Sequence, residues 1–526
     1  MVYIPIYHSY IYNYMGHTNR RVNNRINKIN MVVIEIKNGN MCQLEGPAKT
    51  LLRLFNEFRI KHPQAWFIYQ RNTKWDGYVN YISESGSFKI GLTPMIYNKL
   101  ISYGEKVKVI DRRSPLDVSP RKITKLGDKT LRPEQIYTLE AIKNNKLGDT
   151  PFQVGVIKAS VNFGKTLIMA GMYESYRRKL NTLILLNSSD LFNQFKKEIP
   201  ELLPGEDVGF IQGRTSKEFH NINVAMVQSL GYNIKYYARF LSQVDMVLID
   251  EADVIDNKTY SKVIQHLYNA RIRLGLSGTI YMTGKSVKKN IIHHMNIRSY
   301  IGDVIHEVKL REMMDKGYST ETVVKMVPVP MGYMPSSNKF ESYQETYNRV
   351  VINNPVAYKK SLERTLFNIK YGRLPLIIVC KFIDHCEKLT KFYQKELGDK
   401  YVIRGVHHET KKRNSILNDF RDGKIDILIS TLIISRGQNF PLVKYLQNIA
   451  SMDSNELSIQ ILGRLVRTHE SKKVSYLDDL VFPGNYLSRH GKHRKNYYLR
   501  ENLKVIDLGK KKRKKKKNQK EKIKEK

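Results

Sequence analysis

The sequence is poor in cysteine, in tryptophan and in acidic charge, and each shortage excludes something. Its three cysteines, Cys42, Cys380 and Cys386, form neither a metal-ligand spacing nor a plausible disulfide framework, as suits a reducing compartment. No apolar run is long enough to span a bilayer, so no membrane partner is expected. The opening stretch MVYIPIYHSYIYNYMGHTNRR lacks the basic start and clean apolar core of a signal peptide. No short internal repeat is present, and no nuclease-type carboxylate cluster remains outside the motifs described below. Acidic residues number 49 against 89 Lys and Arg, a net charge of +40, which points to a polyanionic partner.

Ten of those forty charges sit in KKKRKKKKNQKEKIKEK, Lys510 to Lys526, where twelve Lys/Arg face two Glu. Such a run repels itself and has no apolar face to fold on. It reads as a disordered tail suited to non-specific phosphate contact. The other thirty charges are spread over the rest of the chain.

IKASVNFGKT, Ile157 to Thr166, ends as a phosphate-binding loop should, although Ala159 stands where a glycine is usual. FQVGVI before it reads as a buried strand and TLIMAGMYESY after it as a helix. The loop residues Ala159, Ser160, Asn162 and Gly164 then lie at a helix N-terminus, where backbone N–H groups attract phosphate. Lys165 is expected to reach the β/γ-phosphates of ATP, and the Thr166 hydroxyl to hold Mg²⁺. The Mg²⁺ needs a carboxylate at the end of another buried strand. VDMVLIDEAD supplies Asp250 for the metal and Glu251 to orient and deprotonate the attacking water.

More pieces follow in order. In LRPEQIYTLEAI, Arg132 and Gln135 suit the adenine edge, since an amide offers a donor beside an acceptor. VAMVQSL ends in Gln228 and Ser229, and RLGLSGTI in Ser277, Gly278 and Thr279; both sets suit a nucleic-acid backbone. IDILISTLIISRGQNFP carries Thr431, Gly437 and Asn439. SIQILGRLVRT carries Gln460, Gly463, Arg464 and Arg467.

Taken together these stretches resemble the ordered motifs I, Ia, Ic, II, III, IV, V and VI of superfamily 2 helicases. The resemblance implies two RecA-like lobes that clamp ATP and Mg²⁺. Lys165, Thr166, Asp250 and Glu251 lie on the first. Arg464 and Arg467, on one side of a helix, are arginine fingers of the second. It also implies nucleotide contacts from Gly437, Asn439 and Gln460, and a nucleic-acid contact from Thr431. Motif III is Ser-Gly-Thr and motif VI opens with Gln460. Both depart from the RNA-remodelling group that shares the Asp-Glu-Ala-Asp spelling, and they favour DNA. A narrower stretch, FRIKHPQAWFIYQRNTKWDGYVNYISESGSFKIGLTPMIY, is similar to the N-terminal domain of phage UvsW-type helicases. That group implies remodelling of forks, junctions, R-loops or D-loops in replication, recombination or repair, in the host cytoplasm.

The expected fold is α/β, with two tandem RecA-like lobes on parallel sheets. Residues 1–30 read as a flexible extension, and 31–118 as a small α+β accessory domain able to fold alone. Its basic residues include Arg59, Lys61, Arg71 and Lys74, and they are candidates for nucleic-acid contact. Residues 119–328 read as lobe 1, 329–508 as lobe 2 and 509–526 as the tail. The expected enzyme is a monomeric DNA-dependent ATPase acting on single-stranded or branched DNA. An RNA or RNA–DNA substrate, or a passive binder with a vestigial ATP site, are the competing readings.

Overall fold

The computed structural model describes residues 31–70, 75–213, 218–280, 287–330, 341–435 and 440–509. The sequence-based expectations for 1–30 and 510–526 lie outside these residues. Two compact units appear. The first comprises the chain to Ala159 and Gly164–Glu307; the second comprises Ser160–Phe163 and the chain from Val308.

The first unit opens with a mixed four-stranded sheet. Its strands are β1 (Val32–Ile36), β2 (Met41–Glu45), β5 (Ser87–Lys89) and β6 (Val107–Asp111), in the order β5-β2-β1-β6. Strand β1 alternates buried and half-buried side chains, the pattern of a sheet with one covered face. Between β2 and β5 lie helix α1 (Ala48–Glu57) and a pair of short antiparallel strands, β3 (Arg59–Lys61) and β4 (Tyr78–Asn80). Helix α2 (Ala65–Tyr69) is carried between β3 and β4. Helix α3 (Thr93–Ser102) leads to β6.

This small domain is not hung on a linker. Its core is continuous with Leu147, Phe152, Val154 and Met295 of the same unit. A Cβ on Gly91 would lie 2.0 Å from the Arg298 carbonyl oxygen, so only glycine permits this approach. Asn40 accepts from the buried Arg273 guanidinium at 2.7 Å, and Arg113 donates to the Arg271 carbonyl at 3.0 Å. Burial pushes Arg273 down to about 9, so the Asn40 bond offsets a real desolvation cost.

Helix α4 (Pro133–Lys143) then precedes a seven-stranded sheet. Its strands are β7 (Val154–Ala159), β8 (Thr182–Leu186), β9 (Val208–Ile211), β10 (Ile222–Met226), β11 (Met246–Asp250), β12 (Ile272–Ser277) and β13 (Val304–Val308). The order is β9-β10-β8-β11-β12-β7-β13, and the pairs from β9 to β7 run parallel. Strands β8, β10, β11 and β12 are buried along their whole length, as expected where helices cover both faces. Helix α5 (Lys165–Ser175) follows β7.

The second unit repeats the plan. Its strands are β14 (Glu321–Pro328), β15 (Leu376–Val379), β16 (Ile403–Val406), β17 (Ile427–Ser430), β18 (Tyr445–Asn448), β19 (Val474–Val481) and β20 (Lys504–Asp507). Their order is β16-β17-β15-β18-β19-β14-β20. Counted within each sheet, both units read 3-4-2-5-6-1-7, so this is one topology used twice. Helices α6 (Pro355–Lys370), α7 (Asn455–Leu465) and α8 (Asn485–Arg500) belong here.

The lobe boundary expected at 328/329 moves. Strand β14 pairs in parallel with β19 along its whole length, Glu321 to Pro328, and with β20. It therefore belongs to the second sheet. Pro328 is the strand's last residue and Pro330 follows two positions on, where neither can donate a ladder hydrogen bond. Cys42, Cys380 and Cys386 are buried and free. Among the described residues no helix is long and apolar enough to cross a membrane.

Candidate active site

Strand β7 ends at the buried Ala159, and α5 begins at Lys165. The turn between them depends on Gly164, which has φ 92° and caps the helix. A Cβ there would meet the Gln135 amide nitrogen at 2.8 Å and Arg132 Nη2 at 3.6 Å, so the start of α4 lies directly over the loop. Gln135 is buried, and its Oε1 accepts from the Arg132 backbone N–H at 2.9 Å. The acceptor of the expected adenine-reading amide is thus engaged by its own helix start, and its nitrogen faces the glycine.

Lys165 is the centre of the first unit's cluster. Its Nζ lies 3.0 Å from Asp250 Oδ1 and 2.9 Å from Glu251 Oε1. Burial works against the ammonium charge, but the two carboxylates outweigh it and hold its pKa well above the usual value. Burial pushes the Asp250 carboxyl above the ordinary range. Lys165 pulls it back and the Glu251 charge adds to the rise. Thr166 is buried in the first turn of α5. Glu251 sits at φ 47°, a left-handed conformation uncommon for a non-glycine residue. The chain holds that strain where a strand end presents its carboxylate. A lysine, two carboxylates and a hydroxyl at a helix N-terminus can hold an anion beside a divalent cation.

Next along the sheet, Ser277 Oγ donates to Asp253 Oδ1 at 3.0 Å and lies 3.1 Å from Thr279 Oγ1. Ser277 and Thr279 are both buried, so these residues, expected to touch nucleic acid, face inward and tie β12 to the acidic turn. Asp253 was not expected as a site residue; the hydroxyl two strands' connection away reveals it only in three dimensions. Ser229 Oγ accepts from the Gly213 N–H at 2.9 Å and is also buried. Gln228 donates to the Asn187 carbonyl at 3.2 Å, while its Oε1 is buried without a protein partner.

In the second unit, Asn162 has φ 72° and its amide donates to the Tyr318 carbonyl at 2.6 Å. Ser160 Oγ is buried and unpartnered. Helix α7 carries Gln460 and Arg464, both buried. The expectation that Arg464 and Arg467 share a helix face is corrected: α7 ends at Leu465. Arg467 lies beyond it, with its carbonyl accepting from Thr320 Oγ1 at 2.9 Å. At the helix end Lys472 folds back and donates to the Leu465 carbonyl at 2.9 Å and the Val443 carbonyl at 3.1 Å, a side-chain cap. Burial lowers Lys472 to about 8, helped by the charges of Arg467 and Lys444. Thr431 Oγ1 and Gln460 Oε1 are buried without a protein partner. Gly437, Asn439, Arg71 and Lys74 lie outside the described residues.

These orphaned atoms test whether a nucleotide suits the residues present. A buried polar atom left unpaired costs about 1–3 kcal/mol. Ser160, Thr431 and Gln460 each leave one, and each stands in a stretch read from sequence as meeting ATP or nucleic acid. The residues fit a polar ligand.

Comparison with known proteins agrees. The model for the type III restriction enzyme res subunit matches residues 128–282, and that for the helicase conserved C-terminal domain matches 360–469. The ATP-dependent DNA helicase uvsW of Enterobacteria phage T4 is 21% identical over 476 residues, covering 83% of this chain and 90% of that protein. Competence protein ComFA of Bacillus subtilis is 23% identical over 321 residues, 60% of this chain and 61% of that one. The solved structure of the ATP-dependent type ISP restriction-modification enzyme LlaBIII bound to DNA superposes with a TM-score of 0.54 at 13% identity. That match covers 76% of this chain and 33% of the other, a likeness of fold. One match, 128–282, includes Arg132 through Thr279 and the other, 360–469, includes Thr431 through Arg467, and between them they cover about half of the chain. With the repeated sheet order and the lysine–carboxylate cluster at the strand ends, this makes the chain a member of the superfamily 2 helicases, a nucleic-acid-dependent ATPase.

Proposed function

We propose that the protein is an ATP-dependent DNA helicase or translocase that remodels branched DNA: forks, junctions, R-loops or D-loops. The observation that carries the ATP chemistry is Lys165 held between Asp250 and Glu251 at 3.0 and 2.9 Å. Bound Mg²⁺–ATP supplies the phosphoanhydride whose cleavage drives the cycle. Lys165 would meet phosphate oxygens in place of its carboxylate partners; Asp250 and the Thr166 hydroxyl would hold Mg²⁺, and Glu251 would orient water and accept its proton. Ala159, Ser160, Asn162 and Gly164 shape the loop, and Arg132 and Gln135, which lie over Gly164, are assigned to the adenine. Arg464 and Arg467 offset charge that grows on the transferring phosphoryl group.

Gln228 and Thr431, each with an unpartnered buried oxygen, are the strand contacts this reading retains. Ser229, Ser277 and Thr279 position neighbouring loops instead. DNA and branched substrates are supported by the accessory domain fixed on the first unit and by the phage T4 relative, a DNA helicase by name. The test is ATP turnover measured with single-stranded DNA, a fork, a four-way junction, an R-loop and RNA. Forks and junctions should stimulate at least as strongly as single strands. Stimulation by RNA above every DNA would replace the substrate, and no stimulation by any nucleic acid would leave a passive binder.

A further inference from the structure

The accessory domain carries an aromatic face for which the ATP machinery has no use. Helix α2 exposes three aromatic rings: Trp66 at 66%, Phe67 at 67% and Tyr69 at 54% of full exposure. Trp66 and Phe67 meet edge to face, with ring centroids 4.9 Å apart. Large aromatic rings are normally the residues a small domain buries first, because each removes a large apolar area from water. Trp75, the other tryptophan of the chain, does turn inward. It is half-buried, donates to the Tyr78 carbonyl at 3.0 Å and packs edge-on against His62.

The helix is held so that its rings must face outward. Its buried residue is Ala65, and a Cβ on Gly77 would stand 3.1 Å from the Ala65 Cβ. The Ala65 N–H donates to the His62 carbonyl at 3.0 Å, and His62 N–H to the Gly77 carbonyl at 2.9 Å. Below it, β3 and β4 are clamped by Arg59, which pairs with Asp76 at 2.7 Å and lies 4.1 Å over the Tyr78 ring. The domain in turn is locked to the first unit through Gly91 and Arg273. The aromatic face is therefore rigidly attached to the lobe that carries Lys165.

The segment that leads into it is basic. From Lys49 to Lys61 the chain has four basic residues, Lys49, Arg53, Arg59 and Lys61, and one acid, Glu57, paired with Arg53 and Lys99, while Arg59 pairs with Asp76. Exposed aromatics among basic groups on a chain of net charge +40 match a polyanion whose neutral flat parts are its bases. We infer that Trp66, Phe67 and Tyr69 form a stacking face for unpaired DNA bases at an opened duplex end. The face holds them while the ATP-driven units pull on the strand. This rests on the DNA-helicase reading above. Base stacking on an aromatic ring is indifferent to sequence, as a remodelling enzyme requires, and a rigid mount allows it to resist a pulling strand.

The test uses the full chain and its tryptophan fluorescence. A fork with unpaired arms should quench the wild type more than Trp66→Phe, because stacking places a base on the exposed indole. An abasic strand of equal charge should bind without that difference. In a titration, W66A/F67A/Y69A should bind the fork roughly tenfold or more weakly than the wild type. Equal quenching in Trp66→Phe, equal quenching by the abasic strand, or unchanged fork affinity in the triple variant would overturn the inference. The same fork made of RNA is the control for substrate: quenching by RNA and not by DNA overturns the DNA assignment of this face. Stimulation of wild-type ATP turnover by the same fork reports separately on the function. Stimulation without Trp66 quenching removes the stacking face and leaves the helicase, whereas quenching without stimulation removes the proposed motor activity.

Discussion

The two seven-stranded sheets share one strand order and do different things at the same places. The first strand of the first sheet, β7, runs into the Gly-Lys-Thr turn and Lys165. The first strand of the second sheet, β14, runs into Val329 and Pro330, and no such turn follows it in the sequence. At the fifth strand, β11 ends in Asp250 and is followed by Glu251. The corresponding β18 ends in Asn448, whose amide bonds Asp479 at 3.3 Å and the Ala450 N–H at 3.1 Å. The position that offers acid chemistry in one sheet is structural in the other. Asp479 is itself held by the fully buried Arg494, at 2.7 Å, which ties α8 to the sheet. A shared topology thus provides equivalent strand ends, and the side chains placed there decide what each end does.

The sharpest way to break this asymmetry is Glu251→Gln. The amide keeps the shape and loses the base, so ATP turnover should fall roughly 10²–10⁴-fold while nucleotide and DNA binding persist. Turnover near wild type would move the water-activating role elsewhere. Next, the two units should differ in how they fail. Lys165→Ala should weaken both ATP affinity and turnover, because its charge meets phosphate before and during the reaction. Arg467→Ala should lower turnover about 10²-fold with a smaller change in affinity. Separate measurements of KM and kcat distinguish them, and the same pattern in both would erase the division of labour.

Acid should distinguish the cores. His385 in the second unit is buried beside Tyr358 with neither ring nitrogen bonded, and burial lowers it to about 4. Its neutral form is the one the fold accepts. The stability it permits is fully present above an unfolded pKa near 6.5 and is lost as pH falls towards 4, by ~3 kcal/mol in all. His385→Phe should remove part of the second unit's acid lability in denaturant titrations between pH 7 and 4. An unchanged pH dependence would show that His385 finds a partner when it charges. In the first unit the buried cation has partners: Asn40→Ala takes from Arg273 a charge-assisted hydrogen bond, which should cost about 2 kcal/mol in unfolding of that unit. A shortened chain starting near Ser119 removes the same partner together with the Gly91 contact. Its failure to fold would show the accessory domain to be part of the first core.

Much of the site was legible in order along the chain, because phosphate chemistry demands particular residues at short spacing. Gly164, Lys165 and Thr166 are adjacent, and so are Asp250 and Glu251. The strands β7 and β11 that present them are short apolar runs whose ends are easily read. The expected helix face for Arg464 and Arg467 failed because α7 ends at Leu465, whose carbonyl the Lys472 ammonium caps from seven residues on, a side-chain contact that periodicity does not report. The strand β14 was assigned to the wrong lobe because its partners, β19 and β20, lie more than a hundred residues away. Local pattern cannot report a pairing of that range.

The sequence by itself determined the enzyme class and the tandem α/β plan, and it named the candidate nucleotide-binding residues, since those rest on local spacing and on the periodicity of strands and helices. Tertiary structure alone decided three things. Ser277 and Thr279 face inward, because the buried strand end brings the Ser277 hydroxyl to Asp253 and the Thr279 hydroxyl to Ser277. The accessory domain is part of the first unit's core, because Asn40 and Gly91 meet residues more than two hundred positions away. Trp75 turns in while Trp66 and Phe67 turn out, because Ala65 and Gly77 leave the helix no room to bury its rings. In each case the deciding contact joins residues that the linear order keeps apart or orients a side chain that composition cannot.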